Sequence, residues 1–188
     1  MPTHVALLRG INLGGHKRVA MPELRAVVSA LGHRDVSSYI QSGNVLFSTD
    51  RTDTAGMADQ LRQAIAAELG VQAGVVVLSR DELDRVIAAS PYAGEPDPKA
   101  VHVIFLPGDP EPGHAGHLAA TQQKAAAKGS RDEVTLAGRA VYLHTPDGYG
   151  RSELAKLLSQ ARGPLSVRAA GTARNWSTVT KLAELMDK

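Results

Sequence analysis

Residues 35–48 read DVSSYIQSGNVLFS, two strand-like runs separated by Ser42-Gly43, which is hairpin spacing. The sequence on either side completes one motif around that hairpin. Upstream, HVALLR (residues 4–9) reads as a buried strand. Leu24, Val27, Val28 and Leu31 then recur at helical spacing, with Pro22 suited to the first turn and Gly32 to the stop. Downstream, Met57, Leu61, Ile65 and Leu69 stripe a second helix closed by Gly70, and Val75–Leu78 make a fourth strand. The order is βαββαβ, the split-βαβ or ferredoxin-like motif, an antiparallel sheet with two helices on one face.

The pattern then begins again. Ser79 with Glu82 three residues later forms a capping box that opens a connector helix, stopped before Pro91. After the proline-rich stretch 91–98 come a strand at 101–106, a helix at about 114–127, and strands 133–137 and 140–144 joined by Gly138-Arg139. A helix at about 152–161 and a weak strand at 165–169 complete the second unit. An appended helix from about Asn175 carries Trp176, Val179, Leu182 and Met186 on one face. The expected fold is α+β: two tandem ferredoxin-like units with antiparallel sheets plus a C-terminal helix. Residues 1–79 form the first unit, which carries the candidate site. Residues 80–188 hold the connector helix, the second unit and the last helix.

Composition narrows the chemistry. At 188 residues the chain can bury an ordinary core without staples, and with no cysteine it has no thiol catalysis, disulfide framework or sulfur-ligated metal. Its longest apolar runs are far shorter than the roughly 20 residues of a membrane span, so the expectation is a soluble cytoplasmic protein. Twenty-one basic residues against 19 acidic leave a net charge of only +2, so the location of the excess matters more than its size. It lies early. Arg9, His16, Lys17 and Arg18 fall in ten residues that contain no acid, whereas Asp81, Glu82, Asp84, Glu95 and Asp97 make the middle of the chain acidic.

In the split-βαβ topology the end of the first strand and the hairpin between strands two and three share one sheet edge. Arg9, Asn12 and Lys17 should therefore approach Gln41, Ser42 and Asn44. Gly10, Gly14 and Gly15 let the loop come close to a ligand, and the loop leads into a helix N-terminus that favours anions. The segment GINLGG matches neither the dinucleotide fingerprint nor the P-loop, so the reading is a small-anion or nucleotide cradle, a well-capped structural turn or a protein contact. The second dense cluster is GTARNWST (171–178). There Arg174 would be lent to the first unit's site, Asn175 caps the helix or binds ligand, and Trp176 anchors the core. His114 and His117 share a helical face but lack completing carboxylates, so a solvated surface is expected, with no metal and no cofactor. QSGN is not GxSxG, and Ser152 to Lys156 misses SxxK by one residue. The DGYGR loop (147–151) reads as a helix lead-in capped by Ser152 or as a second recognition loop.

VALLRGINLGGHKRVAMPELR (5–25), YIQSGNVLF (39–47) and TARNWSTVTKL (172–182) together resemble the family known as domain of unknown function 1697, in order and spacing across essentially the whole chain. The resemblance implies the two-lobed α+β fold and a bacterial cytoplasmic protein, and it draws attention to Arg9, Asn12, Gly14, Gly15, Lys17, Ser42, Gly43, Asn44, Arg174, Asn175 and Trp176. It implies no activity. Three functions compete. One is a protein, enzyme or not, that binds a small anionic or phosphorylated molecule; its only nearby candidate bases are Glu23 and His16. Another is an RNA or single-strand binder that stacks bases on Tyr39 and Phe47. The third is a protein-interaction or self-associating scaffold that covers open sheet faces.

Overall fold

β1 (His4–Arg9) is central because it is apolar on both faces: Val5, Ala6 and Leu7 are fully buried and Leu8 nearly so. The computed structural model describes residues 1–12 and 18–188, the side chains of residues 168 and 169 apart. After β1 come α1 (Met21–Ala30), β2 (Arg34–Tyr39), β3 (Asn44–Ser48), α2 (Thr54–Leu69) and β4 (Gly74–Ser79). The sheet order is β2-β3-β1-β4 with every neighbouring pair antiparallel. β1 and β2 therefore run parallel with β3 between them, which brings the end of β1 and the β2–β3 hairpin to one end of the sheet. Leu7 lies opposite Asn44, and the Leu8 N–H donates to the Gly43 carbonyl at 2.8 Å.

The helical stripes read from the sequence are the ones that pack. Leu24, Val27 and Val28 of α1 and Met57, Leu61 and Ile65 of α2 close over Ala6, Leu8, Val45, Phe47 and Val77. Each fully buried side chain of this size contributes about 1.5–3 kcal/mol. α2 is capped at both ends: the Asp53 carboxylate accepts from the Gly56 N–H at 2.8 Å, and Gly70 closes the helix at φ 65°. α1 begins at Ala20 with no side-chain cap. On the edge strand β2, a register shift at Asp35 (φ 51°) interrupts the ladder, a device that blunts pairing with other chains.

The second unit repeats the topology. α3 (Arg80–Ala88) opens with the expected capping box, Ser79 N–H to Glu82 at 2.8 Å and Glu82 N–H to the Ser79 hydroxyl at 3.2 Å. Then follow β5 (Val101–Phe105), α4 (His114–Ala126), β6 (Glu133–Ala137), β7 (Ala140–His144), a 3-10 turn at Tyr149–Arg151, α5 (Glu153–Gln160), α6 (Val167–Ala170), β8 (Thr172–Asn175) and α7 (Trp176–Met186). The sheet order is β6-β7-β5-β8, again antiparallel throughout. The last strand departs from the sequence reading. Residues 167–170 are helical and the strand is Thr172–Asn175, entered through Gly171, where a Cβ would lie 2.6 Å from the Phe105 carbonyl oxygen and 2.7 Å from Ile104. Only a glycine lets the chain run that close to β5.

The chain divides into two compact units, Met1–Asp84 with Lys181–Lys188, and Arg85–Thr180. In the first, Arg80 ties the closing residues of α7 by donating to the Ala183 carbonyl and pairing with Asp187 at 2.9 Å. Val179, Leu182 and Met186 of α7 are buried as expected, whereas Trp176 is only partly so. Among the described residues no helix is long and apolar enough to cross a membrane.

Candidate functional site

At the hairpin end of the first sheet, the residues singled out in the sequence are held mainly by each other's backbone. Asn44 is fully buried, and its amide donates to the Tyr39 carbonyl at 3.0 Å and the Ser42 hydroxyl at 3.1 Å, which closes the turn. Gly43 has φ 82°, and a Cβ there would lie 2.7 Å from Ile11 Cδ1 and 2.8 Å from Leu8 Cβ, so no other residue fits. Ile40 at the tip is half exposed at φ 51°, a conformation that β-branched residues rarely adopt.

Asn12 does for the first loop what Asn44 does for the hairpin. Its amide nitrogen donates to the Val19 carbonyl at 3.1 Å and to the Gln41 carbonyl at 3.0 Å, while its oxygen accepts the Val19 N–H at 2.8 Å. At φ 53° it occupies the left-handed region that asparagine tolerates best among residues with a side chain. These bonds fasten the two ends of the loop to one another and to the hairpin. Both amide hydrogens are spent, so Asn12 shapes the site and has no donor left for a ligand.

Asn12, Gln41, residues 18–20 and the start of α1 line a cleft of about 770 Å³, with Arg18, Val19, Met21 and Glu23 on its wall. Because no side chain caps α1, its first turn offers the amides of Met21 and Glu23 on this side, Pro22 having none. Arg18 is exposed on the rim. Glu23 brings the opposite charge to the first turn, complementing the helix dipole and competing with any anion there.

Of the other predicted residues, Arg9 belongs to the first unit and Arg174 and Asn175 to the second. Arg9 pairs with Gly74 and lies over its α-carbon, its guanidinium 2.9 Å from where a Cβ would be, on the sheet face opposite the one that Ala6 and Leu8 turn to the helices. Gly14, Gly15 and Lys17 lie outside the described residues. Arg174 belongs to β8 in the second unit and is 8% exposed. It donates to the Thr172 hydroxyl at 3.0 Å and the Ala173 carbonyl at 2.8 Å, and burial pushes its guanidinium down to about 10, still a cation at neutral pH. Asn175 caps α7, its oxygen accepting the Thr178 N–H at 2.8 Å. Arg18 is the residue that sequence reasoning left out of the site. Its place at the loop exit, beside a helix start with no capping side chain, was the available signal.

The equivalent edge of the second unit is closed by its own side chain. Arg139 of the β6–β7 turn donates to the Leu106 carbonyl at 3.3 Å and the Pro107 carbonyl at 2.9 Å. His114, expected on the surface, is buried, and its Nδ1 accepts the Glu111 N–H at 2.8 Å. That bond leaves the neutral ring protonated at Nε2. A metal-ligating histidine instead donates from its second nitrogen, so His114 is in the wrong tautomer to ligate. Among the described residues no cluster of three or more acidic or histidine side chains is placed to hold a metal. Phe47 is fully buried against His33, ring centroids 4.4 Å apart, and offers no stacking platform. Among the described residues, Leu46, Val76 and Leu78 of the first sheet and Val103, Phe105 and Tyr142 of the second are all within 2% of full burial.

No curated protein matches the chain. A solved structure, that of the conserved bacterial protein SP0830 from Streptococcus pneumoniae, is similar over 98% of each chain with a TM-score of 0.70 at 23% identity, a likeness that speaks for the fold. A family model described as "Protein of unknown function (DUF1697)" matches residues 1–142, which include Met1–Asp84 of the first unit with the cleft and run into β7. The chain belongs to that family.

Proposed function

We propose that this is a cytoplasmic protein that binds a small anionic or phosphorylated molecule in the first unit, in the cleft between the loop after β1, the β2–β3 hairpin and the start of α1. The observation that carries the reading is the pairing of Arg18 on the rim with an α1 first turn that no side chain caps. Helix amides and an arginine together form a donor set suited to phosphate or carboxylate oxygens. Val19, the residue after Arg18, is held by two hydrogen bonds with Asn12, so the backbone next to Arg18 is placed before binding. The cleft lies within the range of about 300–1,000 Å³ typical of small-molecule sites.

The full burial of Phe47 favours this reading over base stacking on the first sheet. The test is calorimetric titration of the intact protein with inorganic phosphate and with sugar phosphates. Removal of one charge-assisted bond in Arg18→Ala weakens binding by about tenfold or more, and Glu23→Gln strengthens it by relieving repulsion. Unchanged affinity in both variants would overturn the proposal.

A further inference from the structure

A second cleft, of about 370 Å³, lies wholly within the second unit and draws together two sequence motifs that the first site does not use. The DGYGR loop contributes Gly148 and Tyr149, the ARNW motif contributes Asn175, and the end of the proline-rich stretch contributes Asp97 and Lys99, with His102 of β5 completing the wall. We propose that this cleft binds a small anion carrying a planar ring, of the size of a nucleoside monophosphate.

Three features set that chemistry. First, the rings of His102 and Tyr149 are stacked on each other, centroids 4.1 Å apart and planes 30° from parallel, and both residues line the cleft, so its wall holds two aromatic rings against which a planar group can pack. Gly148 makes this possible: at φ 95° it turns the chain out of β7 so that Tyr149 can begin the 3-10 turn and pack its ring against the core of the unit. Second, Lys99 is exposed at the cleft and supplies a point charge for a phosphate or carboxylate. The Lys99 backbone is fixed by its N–H donating to Asp97 Oδ1 at 2.9 Å, and the next residue by Ala100 N–H to the Asp97 carbonyl at 2.9 Å. Third, Asn175 stands opposite His102 in the β5–β8 ladder, and the Thr178 N–H engages its oxygen. Its amide NH₂ is therefore the end it can offer, a donor in the same cleft as Lys99. Asp97, also in the lining, is a like charge that opposes an anion there. The volume is near the low end for small-molecule sites and suits one nucleotide rather than a strand.

The experiment is calorimetric titration of the intact protein with AMP, GMP, CMP and UMP, followed by the variants. Lys99→Ala, a surface change that leaves folding intact, weakens binding by about tenfold or more. Asn175→Asp keeps the helix cap, replaces the donor with a carboxylate and weakens binding comparably. Asp97→Asn keeps the turn acceptor and strengthens binding. Tyr149→Phe retains the stack and binds within about threefold of the parent. Arg18→Ala, in the other unit, leaves nucleotide affinity unchanged, which separates this site from the one proposed above. The inference is overturned if none of the four nucleotides binds with a dissociation constant of about 1 mM or tighter. It is equally overturned if Lys99→Ala and Asn175→Asp bind as the parent does, or if Arg18→Ala abolishes the binding.

Discussion

Replacing Asn12 separates the two jobs this residue does, fastening the loop and holding a left-handed backbone. The side chain makes three hydrogen bonds at 2.8–3.1 Å, two to the backbone of buried Val19 and one to the more exposed Gln41 carbonyl. At about 0.5–1.5 kcal/mol net for each, the exposed one at the low end, their loss costs about 2–3 kcal/mol. Alanine must also adopt φ 53°, which adds about 1 kcal/mol, whereas glycine adopts it freely. Asn12→Ala is thus expected to cost about 3–4 kcal/mol and Asn12→Gly about 2–3 kcal/mol. For a chain of this size each kcal/mol lowers the melting temperature by roughly 2–4 °C. The assay is urea unfolding of the three proteins, followed by circular dichroism, with phosphate titration of the folded variants. Affinity should fall in both variants, because the loop bearing Arg18 is no longer tied to the hairpin. An Asn12→Ala protein within about 0.5 kcal/mol of the parent, or a glycine variant less stable than the alanine one, would refute the clamp.

Gly43→Ala must hold φ 82° and push against Ile11 and Leu8, and should cost about 2–4 kcal/mol in urea unfolding, whereas Gly138→Ala, at φ 54° with nothing within 4 Å, should cost about 1 kcal/mol. Burial holds His4 and His33 below the usual histidine value, His33 further disfavoured as a cation by Arg51 and His4. The unfolded chain therefore takes up protons first on acidification, stability present above about pH 6.5 is lost as the pH falls through the folded values, and the urea midpoint should drop from pH 7.5 to 5.5, less so in His33→Asn. The buried Tyr142 hydroxyl donates to the Val86 carbonyl at 2.6 Å, so Tyr142→Phe should cost about 1–3 kcal/mol. Its phenol is pushed up to about 12, so stability should also fall above about pH 10, where the unfolded chain ionises first, and this alkaline loss should vanish in the variant.

The two βαββαβ units were legible because period-2 strands, 3.6-period helices and glycine stops agree with one another from residue 4 to residue 144. The last strand was not, because Thr172 and Arg174 occupy its buried positions, and polar side chains inside a sheet erase the alternation that marks a strand. The site was half legible. Topology alone placed the first loop beside the hairpin, and the structure joins them through Asn12 and Gln41. What the sequence does not reveal is how a donor's capacity is divided. Asn12 and Asn44 look like ligand donors in the primary sequence, yet the amide hydrogens of Asn12 go to the Val19 and Gln41 carbonyls and those of Asn44 to the Tyr39 carbonyl and the Ser42 hydroxyl. The tie between Asn12 and Gln41 spans 29 residues of sequence and has no local signature. His114 looked like a surface residue between two glycines, but the turn from Glu111 folds it inward as a hydrogen-bond acceptor.

The central claim, an anion held at the start of α1, is tested most directly by titrating the isotopically labelled protein with inorganic phosphate while following its backbone amide resonances. Saturable shifts are expected at Arg18, Met21, Glu23 and Gln41, the residues around the cleft, and they should be lost in Arg18→Ala. Shifts that do not saturate, or that cluster away from the first turn of α1, would contradict it.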